Sequence, residues 1–201
     1  MNASSDNSSP IAGGHGAYQV PKIIEYGSLR EVTLAVGNNS KAIADGGHGL
    51  LTGATIGLPN YAAEGYKKAG GKMSLGISPA ASKIEHVRKY RLPTKAYDSI
   101  LYTGLHYVGR DSLLINSSDA VISIGGRLGT LHEFTIAMET DTPIGFLQGA
   151  GGVSSQIMDI LHAAGESRSE LVFFSEDPAD LIRQLTELLD DRNKKYKDIY
   201  S

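Results

Sequence analysis

Asp119-Ala-Val-Ile-Ser-Ile-Gly-Gly-Arg-Leu-Gly-Thr-Leu-His-Glu133 decides the reading of this chain. An apolar, β-rich run from Ala120 to Ile124 ends in a glycine-dense turn, Gly125-Gly126-Arg127-Leu128-Gly129. A helical stretch from Thr130 to Glu139 follows at once. Glycines let backbone approach a ligand closely, and the free N–H groups and positive dipole end of a helix start attract anions. The strand–turn–helix order therefore predicts a phosphate or nucleotide site built on Gly125, Gly126, Arg127, Gly129 and Thr130.

Outward from this motif, strand-like and helix-like segments alternate. His48 to Gly53 reads as a buried strand running into the turn Ala54-Thr-Ile-Gly57. Leu58 to Ala69 reads as a helix stopped by Gly70-Gly71, and Lys72 to Ser78 as a strand ended by Pro79. Ala80 to Tyr90 is expected to be helical, Ser99 to Thr103 a strand and Gly104 to Ser117 a helix. After the motif come a strand at 144–147, a helix at 153–164, a strand at 171–174 and a helix at 178–190. Strands separated by helices at this pitch imply right-handed βαβ units. The expected class is α/β, with the strands in one mainly parallel sheet and helices on both faces. Ligands in such sheets bind beyond the carboxyl ends of the strands, where the glycine turns fall.

The start of the chain departs from this scheme. Residues 1–16, rich in Ser, Asn and Gly, read as a disordered tail. Residues 17–45 read as an atypical N-terminal segment, and 46–201 as the nucleotide-binding domain. Candidate strands before His48 are Lys22-Ile-Ile-Glu-Tyr26 and Val32-Thr-Leu-Ala-Val36, and Ser40 to Asp45 leaves only a very short helix. The ordinary first unit reads as truncated or replaced.

Composition narrows the function classes. The chain has 201 residues, enough for one α/β domain with a sizeable core, and 41% are hydrophobic. A net charge of -3 argues against nucleic acid as partner. The absence of cysteine excludes disulfides and thiolate metal sites and fits a reducing compartment. No apolar stretch is long enough to span a membrane, and Met1 to Pro10 lacks the basic and apolar regions of a signal peptide. No membrane partner and a cytoplasmic location are expected. His15, His48, His86, His106, His132 and His162 form no H-E-x-x-H pattern, so no metal is expected. Ser78 and Ser123 lack the Gly-x-Ser-x-Gly context of a hydrolase nucleophile.

Residues from about 40 to 189 resemble the lonely-guy (LOG) family and its relatives, Rossmann-like proteins once labelled lysine decarboxylases. That family's motif is a proline, two glycines, any residue, then Gly-Thr-x-x-Glu. Here Gly125-Gly126-Arg127-Leu128-Gly129-Thr130-Leu131-His132-Glu133 follows it with Ile124 in place of the proline and one extra residue before Gly129. The resemblance also covers Thr52-Gly53-Ala-Thr-Ile-Gly57, Gly76-Ile-Ser78-Pro79 and Arg110, which Asp111 follows where the family usually has lysine. It implies a Rossmann-like nucleotide-binding fold in which Gly53 and Ser78 join the phosphate turn. It further implies hydrolysis of a nucleoside 5′-monophosphate to base and ribose 5-phosphate, with Arg110 and Glu133 catalytic and no cofactor or metal required. A homodimer or higher homo-oligomer is implied as well, because family sites draw residues from two subunits.

A shorter stretch, Tyr18-Gln-Val-Pro21-Lys-Ile23-Ile-Glu-Tyr-Gly27 followed by Thr33, resembles the leader of ribosomally made lasso-type peptide precursors. Gly37 and Asp45 stand nine positions apart counting both ends, the spacing of a macrolactam ring. This resemblance implies that residues 18–45 serve peptide maturation.

Each site residue has a second reading. Thr130-x-x-Glu133 is also a capping box, which explains both residues but not the glycine turn before them. Arg110 reads as a solvated helix arginine or, through the resemblance, as a phosphate or transition-state contact. Arg127 either meets phosphate bidentately or points to water. His132, beside Glu133 on a helix, reads as structural. Asp190 to Lys197 reads as the solvated end of the last helix. Two functions follow from these residues. One is a nucleotide-binding protein that cleaves the N-glycosidic bond, Glu133 stabilising a ribose cation and Arg110 fixing the phosphate. The other is a non-catalytic carrier or sensor of a nucleotide or pterin-type cofactor.

Overall fold

The structure, a computed structural model, describes residues 39–194. The tail at 1–16, the leader-like segment up to residue 38 and the two candidate strands before Gly37 lie outside the described residues. A short helix, α1, covers 39–45. The chain then runs β1 (Leu50–Thr52), α2 (Leu58–Lys68), β2 (Ser74–Ser78), β3 (Ser99–Tyr102), α3 (His106–Asn116) and β4 (Val121–Ile124). It continues through α4 (Leu128–Glu139), β5 (Ile144–Leu147), α5 (Ile157–Ala164), β6 (Val172–Ser175) and α6 (Pro178–Asn193). No helix among the described residues is long and apolar enough to cross a membrane.

All strand pairs are parallel, as the alternation of strand and helix text requires. The expected single sheet is instead two three-stranded sheets among the described residues, ordered β1-β2-β3 and β4-β5-β6. Leu51 pairs with Leu75 in the first, and Ile122 with Gly145 in the second. Among the described residues β1 and β4 each stand at one end of their half.

The larger core lies on the second half. Ile115 of α3, Phe134 and Met138 of α4, Ile144 and Phe146 of β5, and Ile157 and Leu161 of α5 pack together. Phe146 stacks on Phe174 at 5.5 Å and meets Phe134 edge-on at 5.8 Å. Every residue of β5 is buried, the pattern of a strand covered on both faces. Gly145 is required there, since a Cβ would stand 2.8 Å from Leu181 Cδ1 on α6. In the first half Tyr66 is buried against Leu50 and Ala96, and Ile43 and Ala44 of α1 join that cluster. The Tyr66 hydroxyl donates to the His48 carbonyl at 2.7 Å and accepts from the Met73 amide, pinning α2 over the start of β1.

The helix expected at 80–90 is shorter and wider: 83–84 are α-helical and Glu85–Lys89 form a π-helical turn. His86 within it is fully buried. Its Nε2 faces the Pro93 carbonyl at 2.9 Å, so Nε2 carries the proton and Nδ1 accepts from the Ser78 hydroxyl at 2.8 Å. Likewise the helix read at 153–164 is a 3₁₀ turn (Gly152–Gln156) followed by α5.

Candidate functional site

A cavity of about 880 Å³ runs between the edge strands β1 and β4 and is lined along the full length of both. At the carboxyl ends of these strands its wall turns polar, with Gly53, Gly126, Gly129, Thr130 and Glu133. Five residues expected at the site are therefore brought together where a parallel α/β sheet receives ligands.

The turn after β4 needs its glycines. Gly125 and Gly126 have φ of 64° and 97°, a region that side-chain-bearing residues rarely adopt. A Cβ on Gly126 would stand 1.8 Å from Thr130 Oγ1, and one on Gly125 would stand 3.0 Å from the Ala150 carbonyl. The Val153 amide donates to the Gly126 carbonyl at 3.1 Å. The loop at 149–152 thus clamps the turn from outside. Sequence reading passed over it, although Gly149, Gly151 and Gly152 were visible as a second glycine cluster.

α4 starts two residues earlier than the sequence suggests. Arg127 occupies the N-cap position with no side-chain capping bond, and its carbonyl accepts from the Leu131 amide. Thr130 is the third helical residue, so Thr130 and Glu133 do not form a capping box. The capping explanation for Glu133 is thereby removed. Gly129 has open space where a side chain would project. Arg127 is exposed and is not part of the cavity wall.

Arg110 stands behind Gly53 of the cavity wall and is not itself part of that wall. It lies on α3, is buried, and its guanidinium rests against Gly53, where a Cβ would stand 2.0 Å from Nη1. Nε and Nη1 have no hydrogen-bond partner among the described residues. The Asp111 carboxylate stands 3.4 Å from Nε and takes a hydrogen bond of 3.0 Å at its other oxygen from His132 Nδ1. Asp111 is itself buried. Leaving guanidinium donors unmet in a low-dielectric setting costs a few kcal/mol, so the arrangement favours an incoming anion.

Glu133 shares this environment. Burial raises its carboxyl above the ordinary carboxylate range, and the Asp111 charge pushes the same way, against smaller opposing effects of Arg110 and His132. Arg110, Asp111, His132 and Glu133 thus form one charged cluster on α3 and α4. Asp111 and His132 were missed as site residues. The one signal was Asp111 standing where the resemblance expects lysine.

Ser78, expected with the phosphate residues, lies apart from the cavity wall. It is fully buried, donates to His86 and accepts from the Ala80 amide at 3.0 Å. Its hydroxyl is committed to the turn after β2.

Comparisons with known proteins place the chain in a family and bear on its fold. The sequence profile of the SLOG cluster4 family matches residues 27–182. A protein of Archaeoglobus fulgidus described only as uncharacterized is 34% identical over 97 residues, which is 48% of this chain and 58% of that one. The aligned part thus spans little more than half of that relative's length. A solved structure of the molybdenum cofactor binding protein from Rippkaea orientalis superposes with a TM-score of 0.65 and 26% identity, covering 79% of this chain and 88% of that one. The molybdenum cofactor carrier protein from Chlamydomonas reinhardtii gives 0.62 and 27% over the same shares. The expected likeness to LOG-type Rossmann proteins is met by a profile that covers most of the sequence. The chain belongs to the SLOG cluster4 family, with a Rossmann-like fold.

Proposed function

We propose that this chain binds a small phosphate-bearing molecule, a nucleotide or a pterin-type cofactor, at the polar mouth of the cavity. The observation that carries this reading is the buried Arg110 guanidinium against Gly53, with two nitrogen donors unmet among the described residues. A phosphate would accept from Arg110 and from the first-turn amides of α4, which no side chain caps. Gly53 and Gly126 leave room for that approach. Similarity to proteins described as binding or carrying the molybdenum cofactor supports a ligand that is held rather than converted. Calorimetric titration with nucleoside 5′-monophosphates and with a phosphorylated pterin tests the reading. Binding by the wild type that Arg110→Ala weakens at least tenfold is expected. Equal affinity in both proteins would remove Arg110 from the site.

Glu133 favours a second reading, N-glycosidic hydrolysis. A half-buried carboxylate beside a bound ribose phosphate would stabilise positive charge at C1′ as the C1′–N bond breaks. Water then adds to C1′, and its proton ends on the departing base. Release of free base from any monophosphate by the wild type supports this reading, and binding without release supports the carrier.

A further inference from the structure

One guanidinium serves two carboxylates beside the polar mouth. Arg110 Nε stands 3.4 Å from Asp111, and both side chains are buried. Glu133 lines the cavity itself; burial raises its carboxyl, the Asp111 charge raises it further, and Arg110 lowers it by less. His132 donates from Nδ1 to the other Asp111 oxygen at 3.0 Å, a bond that a neutral ring makes as well as a charged one. The Tyr97 phenol also senses Arg110, but burial raises it and keeps it neutral. With Glu133 ionised and the imidazole neutral, Arg110, Asp111, His132 and Glu133 together carry one negative charge. Among the described residues no lysine or arginine lines the cavity, whose acidic wall residues are Glu133 and Asp119. Two features still draw an anion. One is the pair of Arg110 donors behind Gly53, unmet among the described residues, and the other is the uncapped first turn of α4. A helix start is worth roughly half a positive charge. Asp111 already takes up much of the Arg110 charge, so these donors suit one negative charge and not two.

We propose that the site accepts phosphate in its singly charged form, as a phosphate diester or as a monoester that keeps its second proton, and that Asp111 sets this preference. The preference rests on the reading that phosphate binds beside Arg110. A doubly charged phosphate meets Asp111 and Glu133 with no second cation on the described cavity wall to offset it. Where the LOG resemblance expects a lysine after Arg110, this chain places a carboxylate instead. A phosphate monoester loses its second proton at about pH 6, so at pH 8 it is almost wholly doubly charged. A diester keeps a single charge throughout. The ligand class favoured above neutral pH is therefore a cyclic or alkyl-capped nucleoside or pterin phosphate.

Matched ligands on the full chain test this. Adenosine and guanosine 5′-monophosphates are compared by calorimetry with their methyl esters, which keep base, ribose and phosphate but carry one charge less at pH 8. The wild type is expected to bind a methyl ester at least tenfold more tightly than its parent monophosphate at pH 8. At pH 5.5, where the monophosphate regains its proton, the gap is expected to fall below threefold. Titration of Glu133 or His132 moves both members of a pair together and leaves their ratio alone. Asp111→Asn keeps an acceptor for His132 and is expected to shrink the gap at pH 8 to threefold or less. Glu133→Gln removes the other charge and is expected to shrink it at least threefold, which carries the test if Asp111→Asn does not fold. A monophosphate that binds at pH 8 as tightly as its methyl ester overturns the preference and leaves phosphate binding standing. A gap unchanged in the folded variants overturns it too, because the carboxylates are then not its cause. No binding of any pair at either pH overturns both the preference and the phosphate reading.

Discussion

His132 Nδ1 lies 3.0 Å from Asp111 Oδ2, tying α4 to α3 beside the buried guanidinium of Arg110. Asp111 therefore faces two groups at once, with its other oxygen 3.4 Å from Arg110 Nε. The Arg-Asp sequence replaces the Arg-Lys of the LOG resemblance and supplies a counter-charge where that pattern has a second cation.

Removing that counter-charge should be expensive. Asp111→Ala leaves Arg110 buried without an opposite charge, a change of about 3 kcal/mol, or roughly a 10 °C fall in melting temperature. A phosphate-bearing ligand should then recover more stability in the variant than in the wild type, because it neutralises the same guanidinium. Thermal melts with and without a saturating monophosphate check both points. An unchanged melting temperature would show that Asp111 does not stabilise Arg110.

Glu133 makes stability depend on pH with a definite sign. Its carboxyl is raised in the folded protein by burial and by Asp111, so the folded state binds the proton more tightly than the unfolded chain. Stability therefore falls as pH rises from the ordinary carboxylate range through the raised native value, and the deficit persists above it. Glu133→Gln should melt a few degrees higher than wild type at pH 8, with the difference fading toward pH 4. If the ionised carboxylate also serves hydrolysis, base release by the wild type should rise across that same window and be lost in Glu133→Gln. A variant less stable than wild type at pH 8 would contradict the burial effect.

Glycine substitutions separate the shape of the turn from access to it. Gly126→Ala puts a Cβ 1.8 Å from Thr130 Oγ1 at a φ of 97°, so it should destabilise the turn and abolish ligand binding. Gly53→Ala drives a Cβ to 2.0 Å from Arg110 Nη1, and should displace the guanidinium and cut affinity nearly as much as Arg110→Ala. Gly129→Ala meets nothing in the free protein and should stabilise α4 by about 0.5 kcal/mol. If a phosphate sits over the first turn of α4, Gly129→Ala also weakens binding while raising the melting temperature. Wild-type affinity in all three variants would move the ligand elsewhere.

Much of this was legible because the signals are local. The strand–glycine–helix succession around Ile124, and the pairing of Gly70-Gly71 with the end of α2, follow from backbone conformation and periodicity along a few residues. The charged cluster was not legible, since Asp111 and His132 are 21 positions apart and meet only when α3 packs on α4. The clamp on Gly126 by the Gly149–Val153 loop is equally non-local. At 80–90 the helix runs only over 83–89 and widens to a π turn around the buried His86, whose two ring nitrogens find partners in Ser78 and Pro93, contacts that no local pattern announces.

That same histidine gives the last test. Ser78 was expected at the phosphate, but its hydroxyl joins His86 Nδ1 to the Ala80 amide beneath the turn. Ser78→Ala leaves a buried ring nitrogen and a buried amide unmet, so it should cost about 2 kcal/mol and some 5 °C in melting temperature. Ligand affinity, measured well below the melting point, should stay within twofold of wild type. His86→Phe fills a similar volume but loses both ring bonds, taking that partner from the Pro93 carbonyl and from the Ser78 hydroxyl proton, and should be the more damaging of the two. A Ser78→Ala protein of full stability that binds phosphate ligands at least tenfold more weakly would return Ser78 to the site.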